Sequence, residues 1–162
     1  MPNPALRWRT LSFDALTTVQ LYSLLRLRSE VFVVEQNCVY QDLDDYDQAA
    51  SHTMAEDAAT GQVLCVARIL APGLKYPEAS IGRVVTSPLL RRTGQGRELV
   101  AQAVEACTLR YPRYGITISA QQHLEDFYAA FDFVTMSEPY LEDNIPHIRM
   151  TRMPAHEAGS RD

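Results

Sequence analysis

Apolar and polar residues along the start of the chain predict a strand followed by a helix. Residues 6–13 alternate in the manner of a half-buried strand. The leucines that follow recur at helical spacing, which predicts a helix that runs to about Val31. Thr17 and Gln20 fit a capping box, with Thr17 as the N-cap and Gln20 three residues later. We therefore place the start of this helix at Thr17.

The middle of the chain predicts three strands after an irregular segment. Residues 35–50 are polar and show no clear period. Residues 52–58 and 63–70 are rich in apolar positions and are separated by the turn signal at 59–62. After a loop with two Pro-containing turns, residues 81–86 predict the next strand.

The second half of the chain continues the alternation of helices and strands. Gly96 opens an amphipathic helix that ends near Tyr111 and Pro112, since the residue before a proline disfavours helix. The remaining expected elements are a strand from Ile116, a short helix with the stripe Leu124, Phe127, Tyr128 and Phe131, and strands over 133–136 and 147–152. The sum, β-α-β-β-β-α-β-α-β-β, predicts an α/β protein with a mixed sheet.

Composition and charge limit the classes of function. With 162 residues, 46% hydrophobic and 22% charged, the chain fits one globular domain, placed at 1–153, with a disordered tail at 154–162. The net charge of −5 argues against nucleic-acid binding, and the short apolar runs argue against a membrane span. Three widely spaced cysteines and no export signal predict reduced thiols and a cytoplasmic location.

A basic turn between the strand at 81–86 and the next helix carries the clearest chemical signal. Gly94 and Gly96 allow close approach of a ligand to the backbone, and a helix N-terminus attracts anions. Three arginines surround this turn: Arg91, Arg92 and Arg97. The turn therefore predicts a phosphate or pyrophosphate site, although the same residues would also fit a solvated arginine turn that binds no ligand. The Walker and dinucleotide-binding patterns both fit poorly, because Arg97–Leu99 lacks their required residues.

The residues Arg91-Arg92-Thr93-Gly94-Gln95-Gly96 resemble the acyl-CoA loop of the GNAT N-acetyltransferase superfamily. Residues 127–133 resemble its second signature, Tyr-x-x-x-Gly-Phe, except that Asp132 stands where glycine is usual. Segments 25–36, 81–85 and 140–148 resemble the ElaA-like branch of this superfamily. The resemblance implies the GNAT fold, a mixed and mostly antiparallel sheet with helices on both faces.

The resemblance also implies an activity: direct transfer of an acetyl group from acetyl-CoA to a primary amine within a ternary complex. The expected acetyl-CoA site comprises Val84, Val85, Thr86, Arg91, Arg92, Thr93, Gly94, Gln95, Gly96 and Arg97. Tyr128 matches the family tyrosine that protonates the CoA thiolate, whereas its position alone fits a core aromatic residue.

The proton acceptor for the amine stays open at this point. Glu35 and His123 are the first candidates, beside Asp143 and His147, and each could equally be a solvated or structural side chain. An acidic cluster, Asp42, Asp44, Asp45 and Asp47, favours a cationic acceptor if it borders the pocket, but equally fits a solvated loop. Arg68 and Arg83 could bind an acceptor carboxylate or form a surface ion pair.

Two other functions compete with catalysis. The chain could be an acyl-CoA sensor without turnover, or the arginine turn could bind a nucleotide. The four histidines are scattered and no Cys/His pair has zinc spacing, so we expect no metal. The expected partners are a small-molecule or peptide amine, with no nucleic acid and no membrane, in a monomer or homodimer.

Overall fold

The computed structural model describes residues 2–154, so the predicted tail lies, apart from Pro154, outside the described residues. The strands are β1 (Leu6–Ser12), β2 (Ser51–Asp57), β3 (Val63–Leu70), β4 (Ala79–Thr86), β5 (Ile116–Gln121), β6 (Val134–Thr135), β7 (Tyr140–Glu142) and β8 (Ile145–Arg152). The α-helices are α1 (Thr18–Arg28), α2 (Gln95–Arg110) and α3 (Glu125–Ala129). The predicted order of elements is confirmed, with β7 as an addition.

These eight strands form one sheet in the order β1-β2-β3-β4-β5-β8-β6, and β7 also pairs with β8. Every pair is antiparallel except β4 with β5, which run parallel. The connection between these two strands is α2, as a parallel crossover requires. The expected mixed, mostly antiparallel sheet is therefore confirmed.

The helices cover both faces of the sheet, and alternating side chains of the central strands divide between them. Cys65, Ala67 and Ile69 of β3 pack in the larger core with α2 and α3. Val66 points to the opposite face and packs with Met54 and the leucines of α1. Because β3 is buried on both faces, its sequence is almost continuously apolar.

Helix α1 begins with the predicted capping box. The Gln20 N–H donates to Thr17 Oγ1 at 3.0 Å, and the Thr17 N–H donates to Gln20 Oε1 at 2.9 Å. The helix does not end near Val31 as predicted but continues after Arg28 as a π-helical segment, Ser29–Glu35. Wide turns of this kind are rare and concentrate at functional sites.

Strand β7 was not predicted, because its three residues lie in a segment without a clear alternating pattern. Asp143 and Asn144 join β7 to β8, with φ angles of 50° and 64°. Two consecutive left-handed residues make a type I′ turn, which fits the twist of a two-residue hairpin. The hairpin brings Glu142 opposite Ile145 and Tyr140 opposite His147.

Candidate active site

A gap opens in the sheet where β4 and β5 separate. The two parallel strands pair only at Ala79 with Ile116 and Ser80 with Thr117. Beyond these pairs, residues 81–84 of β4 and 119–121 of β5 line opposite walls of a cavity of about 320 Å³. The cavity is therefore a consequence of strands that begin parallel and then diverge.

A β-bulge in β4 helps to open this gap. Arg68 pairs with Gly82 and Val66 with Val85, so Arg83 and Val84 together lie opposite a single residue of β3. Arg83 has a φ of 48°, a left-handed conformation that is uncommon for a residue with a side chain. Bulges bend a strand and redirect its side chains, so this one contributes to the separation of β4 from β5.

The basic turn leads from β4 into α2, as predicted. Gly94 is the N-cap with a φ of 83°, and the first backbone bond of the helix runs from the Glu98 N–H to Gly94 O at 3.3 Å. The N–H groups of the preceding turn therefore remain available to an anion. A Cβ at Gly96 would meet only Thr86 Oγ1, at 3.9 Å, so packing does not require glycine there. Arg91, Arg92 and Arg97 are all exposed around the turn.

Tyr128 lies on α3 at the wall of the cavity. Its ring packs edge-to-face on Phe127 and Phe133, with centroids at 5.1 Å and 6.0 Å. Burial raises the pKa of its hydroxyl to about 12. The side chain thus belongs to the core and to the cavity wall at once, and its hydroxyl keeps its proton at neutral pH.

The chain after α3 turns back in a Schellman motif. The Phe133 N–H donates to Tyr128 O at 3.4 Å, and the Asp132 N–H donates to Ala129 O at 3.0 Å. Asp132 occupies the left-handed position, with a φ of 68°. The hydrophobic contact that usually accompanies this motif is the Tyr128–Phe133 ring pair. The turn therefore forms with aspartate in place of glycine.

His147, on β8, lines the cavity across from β4. Its Nδ1 lies 2.7 Å from Ile145 O, and a carbonyl can only accept, so Nδ1 carries the hydrogen. Nε2 is then the basic nitrogen, and it lies 3.3 Å from Glu142 Oε2. Ser119 Oγ donates to the same carboxylate oxygen at 3.2 Å, and Tyr140 stacks on the imidazole. This arrangement fixes the ring and leaves one nitrogen for proton transfer.

The other predicted proton acceptors lie in different places. Glu35 ends the π-helical segment and forms an ion pair with Arg91 of the basic turn. His123 is exposed in the short turn before α3, outside the residues that line the cavity. Asp143 lines the cavity together with His147. Of the four candidates, the cavity therefore brings together His147 and Asp143.

A largely buried network of three arginines and three aspartates lies along one wall of the cavity, and two of its members, Asp44 and Arg83, line the cavity themselves. Arg28 Nε donates to Asp42 Oδ2 at 2.9 Å, and its Nη1 donates to Asp47 Oδ1 at 2.7 Å. Arg68 makes a bidentate pair with Asp44, at 2.6 Å and 2.8 Å. Arg83 completes the network through its Nε, 2.7 Å from Asp42 Oδ1.

This network changes the interpretation of the acidic cluster at 42–47 and that of Arg68. Asp42, Asp44 and Asp47 form ion pairs with arginine, whereas Asp45 is exposed. Of the four, Asp44 alone lines the cavity, and the charge of its carboxylate is offset there by Arg68 and Arg83. Arg68 is buried, so it forms neither a surface ion pair nor an open carboxylate site. Burial alone would raise the pKa of Asp44, but the hydrogen bonds and charge of Arg68 lower it to about 2.

Several cavity residues carried no signal in the sequence pattern. Tyr40 and Lys75 come from loops, and Ser119 and Glu142 owe their positions to the pairing of β5, β7 and β8.

Among the described residues, no group of three or more His, Cys, Asp or Glu side chains could hold a metal ion. Within the same residues, no helix is both long and apolar enough to cross a membrane.

Comparison with known proteins agrees with this geometry. Residues 19–153 match the model of the acetyltransferase (GNAT) domain. Protein ElaA of Escherichia coli is 40% identical over 91% of this chain and 96% of its own length. The crystal structure of an acyl-CoA N-acyltransferase from Pseudomonas aeruginosa superposes with a TM-score of 0.87 at 41% identity, covering 91% of this chain and 99% of that one. The crystal structure of E. coli ElaA gives a TM-score of 0.85 at 39% identity, with the same coverage. The chain belongs to the GNAT acyltransferase family, and its relatives include ElaA.

Proposed function

We propose that this protein transfers an acetyl group from acetyl-CoA to a primary amine, carried by a small molecule or a peptide, by direct attack in a ternary complex. The observation that carries the proposal is the continuity of the basic turn, the bulged strand β4 and the cavity. A ligand with a pyrophosphate at one end and a thioester at the other fits this path. Family membership supports an acyl-CoA donor, and the matching domain is described as an acetyltransferase.

The donor would lie along the gap between β4 and β5. The N–H groups at the start of α2 and the three surrounding arginines suit its pyrophosphate. The backbone of Val84, Val85 and Thr86 suits the pantetheine arm, because the opposite strand has already diverged. One backbone N–H aimed at the thioester carbonyl would stabilise the developing oxyanion.

Tyr128 would serve the leaving thiolate. Its pKa of about 12 keeps the hydroxyl protonated, so it donates a hydrogen bond to the sulfur as the C–S bond breaks. A thiol has an ordinary pKa near 8.5, so the thiolate is a weaker base than the phenolate of Tyr128. Complete proton transfer from Tyr128 to the thiolate is therefore unfavourable unless Tyr128 regains a proton from the amine. Stabilisation of the thiolate by this hydrogen bond is therefore the role that we assign.

The amine must be neutral to attack. An amine with a pKa near 10.4 pays about 4.6 kcal/mol to lose its proton at pH 7. His147 Nε2 can accept a proton, and Glu142 at 3.3 Å would stabilise the resulting imidazolium. Because Asp44 is already neutralised by arginine, Glu142 and Asp143 are the carboxylates of the cavity that remain to attract an ammonium group. We therefore assign proton acceptance to His147, directly or through water, in place of Glu35 or His123.

The proposed donor and the free thiols support a proposal for the cell compartment. Cys38, Cys65 and Cys107 are free, and the last two are buried in the core. Unpaired cysteines and an acyl-CoA substrate suit a reducing cytoplasm. We propose that location, with no nucleic acid and no membrane among the partners.

Thermal unfolding with acetyl-CoA, free CoA, ATP and NAD tests the donor site first. A ligand at 100 times its Kd adds about 2.7 kcal/mol to the free energy of unfolding, which shifts Tm by several degrees in a domain of this size. Selective stabilisation by the CoA species is expected. Stabilisation by ATP or NAD of the same size would contradict the proposal and favour a nucleotide site.

Release of free thiol in the presence of a panel of amines tests turnover. We expect Tyr128→Phe to lower kcat by about 10²-fold while the Tm shift with CoA is unchanged, since the phenyl ring keeps the packing. Binding of CoA without thiol release for any amine would instead favour the sensor function. Equal kcat in the wild-type protein and the variant would remove Tyr128 from the mechanism.

A further inference from the structure

Lys75 is the single lysine among the 162 residues of the chain, which carries fourteen arginines beside it. Its side chain lines the cavity that also contains Tyr128 and His147. A protein that uses arginine everywhere else thus presents its one lysine amine to the site where an amine is expected to be acylated.

The surroundings of Lys75 leave its amine unpaired. Among residues 2–154, no carboxylate lies within 4.0 Å of its Nζ. The nitrogen lies over the ring of Tyr76, 5.8 Å from its centroid. The residue is exposed overall, but partial burial against the cavity lowers the pKa of its amine. Glu142 and Asp44 oppose this effect, whereas Arg68 and Arg83 reinforce it. A larger fraction of neutral, nucleophilic amine follows than for a lysine in water.

The loop that carries Lys75 is ordered by its own hydrogen bonds. The Gly73 N–H donates to Tyr76 O at 2.7 Å, and the Leu74 N–H donates to Ala71 O at 3.3 Å. Gly73 has a φ of 86°, which closes the turn. A short, ordered tether holds the amine near the site, so attack on a bound thioester would be intramolecular and strongly favoured by proximity.

We infer that Lys75 is an internal acyl acceptor, which takes the acetyl group from acetyl-CoA bound in the same molecule. This inference rests on the proposed donor site. The Lys75 nitrogen attacks the thioester carbonyl, the C–N bond of an amide forms and the C–S bond breaks. The amine gives up one proton to His147, and the CoA thiolate finally takes one proton, so the products are acetyl-Lys75 and free CoA thiol.

The modification would change the charge of the cavity. Acetylation removes the ammonium group of Lys75, whereas Glu142 and Asp143 remain. The modified cavity therefore has a more negative lining and less room at its mouth. Self-acetylation at this position would alter which external amines can enter.

Mass spectrometry of the full chain after incubation with acetyl-CoA alone tests the inference. We expect the mass of one acetyl group to be added, and trypsin to stop cutting between Lys75 and Tyr76, so that residues 69–83 appear as one acetylated peptide. Lys75→Arg should remove this label. The first-order rate constant of labelling should exceed that of the chain unfolded in denaturant by at least about tenfold, and should not change with protein concentration.

Each alternative outcome has a distinct meaning. Unlabelled Lys75 in a protein whose Tm rises with acetyl-CoA overturns the inference and leaves the proposed function intact. Labelling at the same rate in the unfolded chain, or in Gly94→Asp with an impaired donor site, identifies simple chemical acetylation and also overturns it. A labelling rate constant that rises in proportion to protein concentration excludes the internal acceptor. Absence of any CoA-dependent Tm shift contradicts the proposed function, and the inference fails with it.

Discussion

His147 and Glu142 lie side by side on the hairpin of β7 and β8, with Nε2 and Oε2 3.3 Å apart. The type I′ turn at Asp143–Asn144 sets this distance, because it fixes the register of the two strands. The carboxylate can hold the imidazolium that forms when His147 takes a proton, whereas Ile145 O holds the other nitrogen. The pair is therefore organised before any substrate arrives.

We expect His147→Gln to lower kcat/KM for amines by about 10²-fold, since the basic nitrogen is lost. Glu142→Gln should have a smaller effect, because Nε2 remains but its imidazolium loses a partner. Steady-state thiol release over a range of pH measures both changes. Neither variant should alter the Tm shift with CoA, and a wild-type pH profile in His147→Gln would show that another group takes the proton.

The basic turn offers a comparison between two glycines of the same conformation. Gly94 and Gly61 have φ angles of 83° and 75°, and a Cβ at either would meet nothing within 4 Å. Aspartate at both positions therefore costs similar backbone strain. We expect Gly94→Asp to weaken CoA binding at least about tenfold, because it adds negative charge at the helix N-terminus, while Gly61→Asp leaves binding unchanged. Titration of CoA by calorimetry measures both, and equal affinities would place the pyrophosphate elsewhere.

Local signals in the sequence were sufficient for most of the fold. The capping box, the alternating strands and the glycine turn each depend on residues that are close in the chain, and all appear where expected. The π-helical continuation after Arg28 was missed, since the spacing of apolar residues does not distinguish the i→i+4 hydrogen bonds of an α-helix from the i→i+5 bonds of a π-helix. Strand β7 was missed because its pairing, rather than its own composition, makes it a strand.

The candidate site was harder to predict, since it depends on contacts between distant segments. Asp42 and Asp44 come from a loop without a period, and their partners Arg28 and Arg83 lie on a helix and a strand. Sequence spacing contains no information on such pairing. The gap between β4 and β5 likewise arises from the divergence of two strands whose paired residues, such as Ala79 and Ile116, are 37 positions apart in the chain.

Arg28 provides a test of the buried network. It is fully buried and pairs with two aspartates, whereas Arg26, half a turn earlier on α1, is exposed. We expect Arg28→Met to lower the free energy of unfolding by about 3–5 kcal/mol, because carboxylates lose a partner in a buried environment. Arg26→Met should change it by less than about 0.5 kcal/mol. Urea unfolding measures both, and similar effects in the two variants would contradict a structural role for the network.

Acid should weaken the fold through the same network. The pKa of Asp44 is lowered from 3.8 to about 2 by Arg68, despite burial, so the native state resists protonation more than the unfolded chain. Burial lowers the pKa of His52 below 6.5, with the same consequence. The contribution of these two groups to the free energy of unfolding should therefore be fully present above about pH 6.5. It should decline below this pH as His52 of the unfolded chain gains a proton, and fall further from about pH 4 to 2.

Urea unfolding at a series of pH values measures this decline. His52→Gln should flatten the upper part of the curve, and Asp44→Asn should flatten the part below pH 4, whatever their effect on absolute stability. An unchanged slope in Asp44→Asn would mean that other carboxylates account for the acid sensitivity.

Asp132 lies in the left-handed position of the Schellman motif, where the signature that residues 127–133 resemble has glycine. The left-handed backbone costs a residue with a Cβ about 1–2 kcal/mol, and this cost is smaller for aspartate than for most residues. We expect Asp132→Gly to raise the free energy of unfolding by about 0.5–1 kcal/mol and Asp132→Ala to lower it by a similar amount, so that stability follows the order Gly, Asp, Ala. Thermal unfolding at neutral pH measures the order. Because the motif fixes the carbonyl of Tyr128 and its contact with Phe133, Asp132→Gly should also keep kcat unchanged. Greater stability in Asp132→Ala than in the wild-type protein would contradict this order and show that the left-handed backbone at this position does not limit stability.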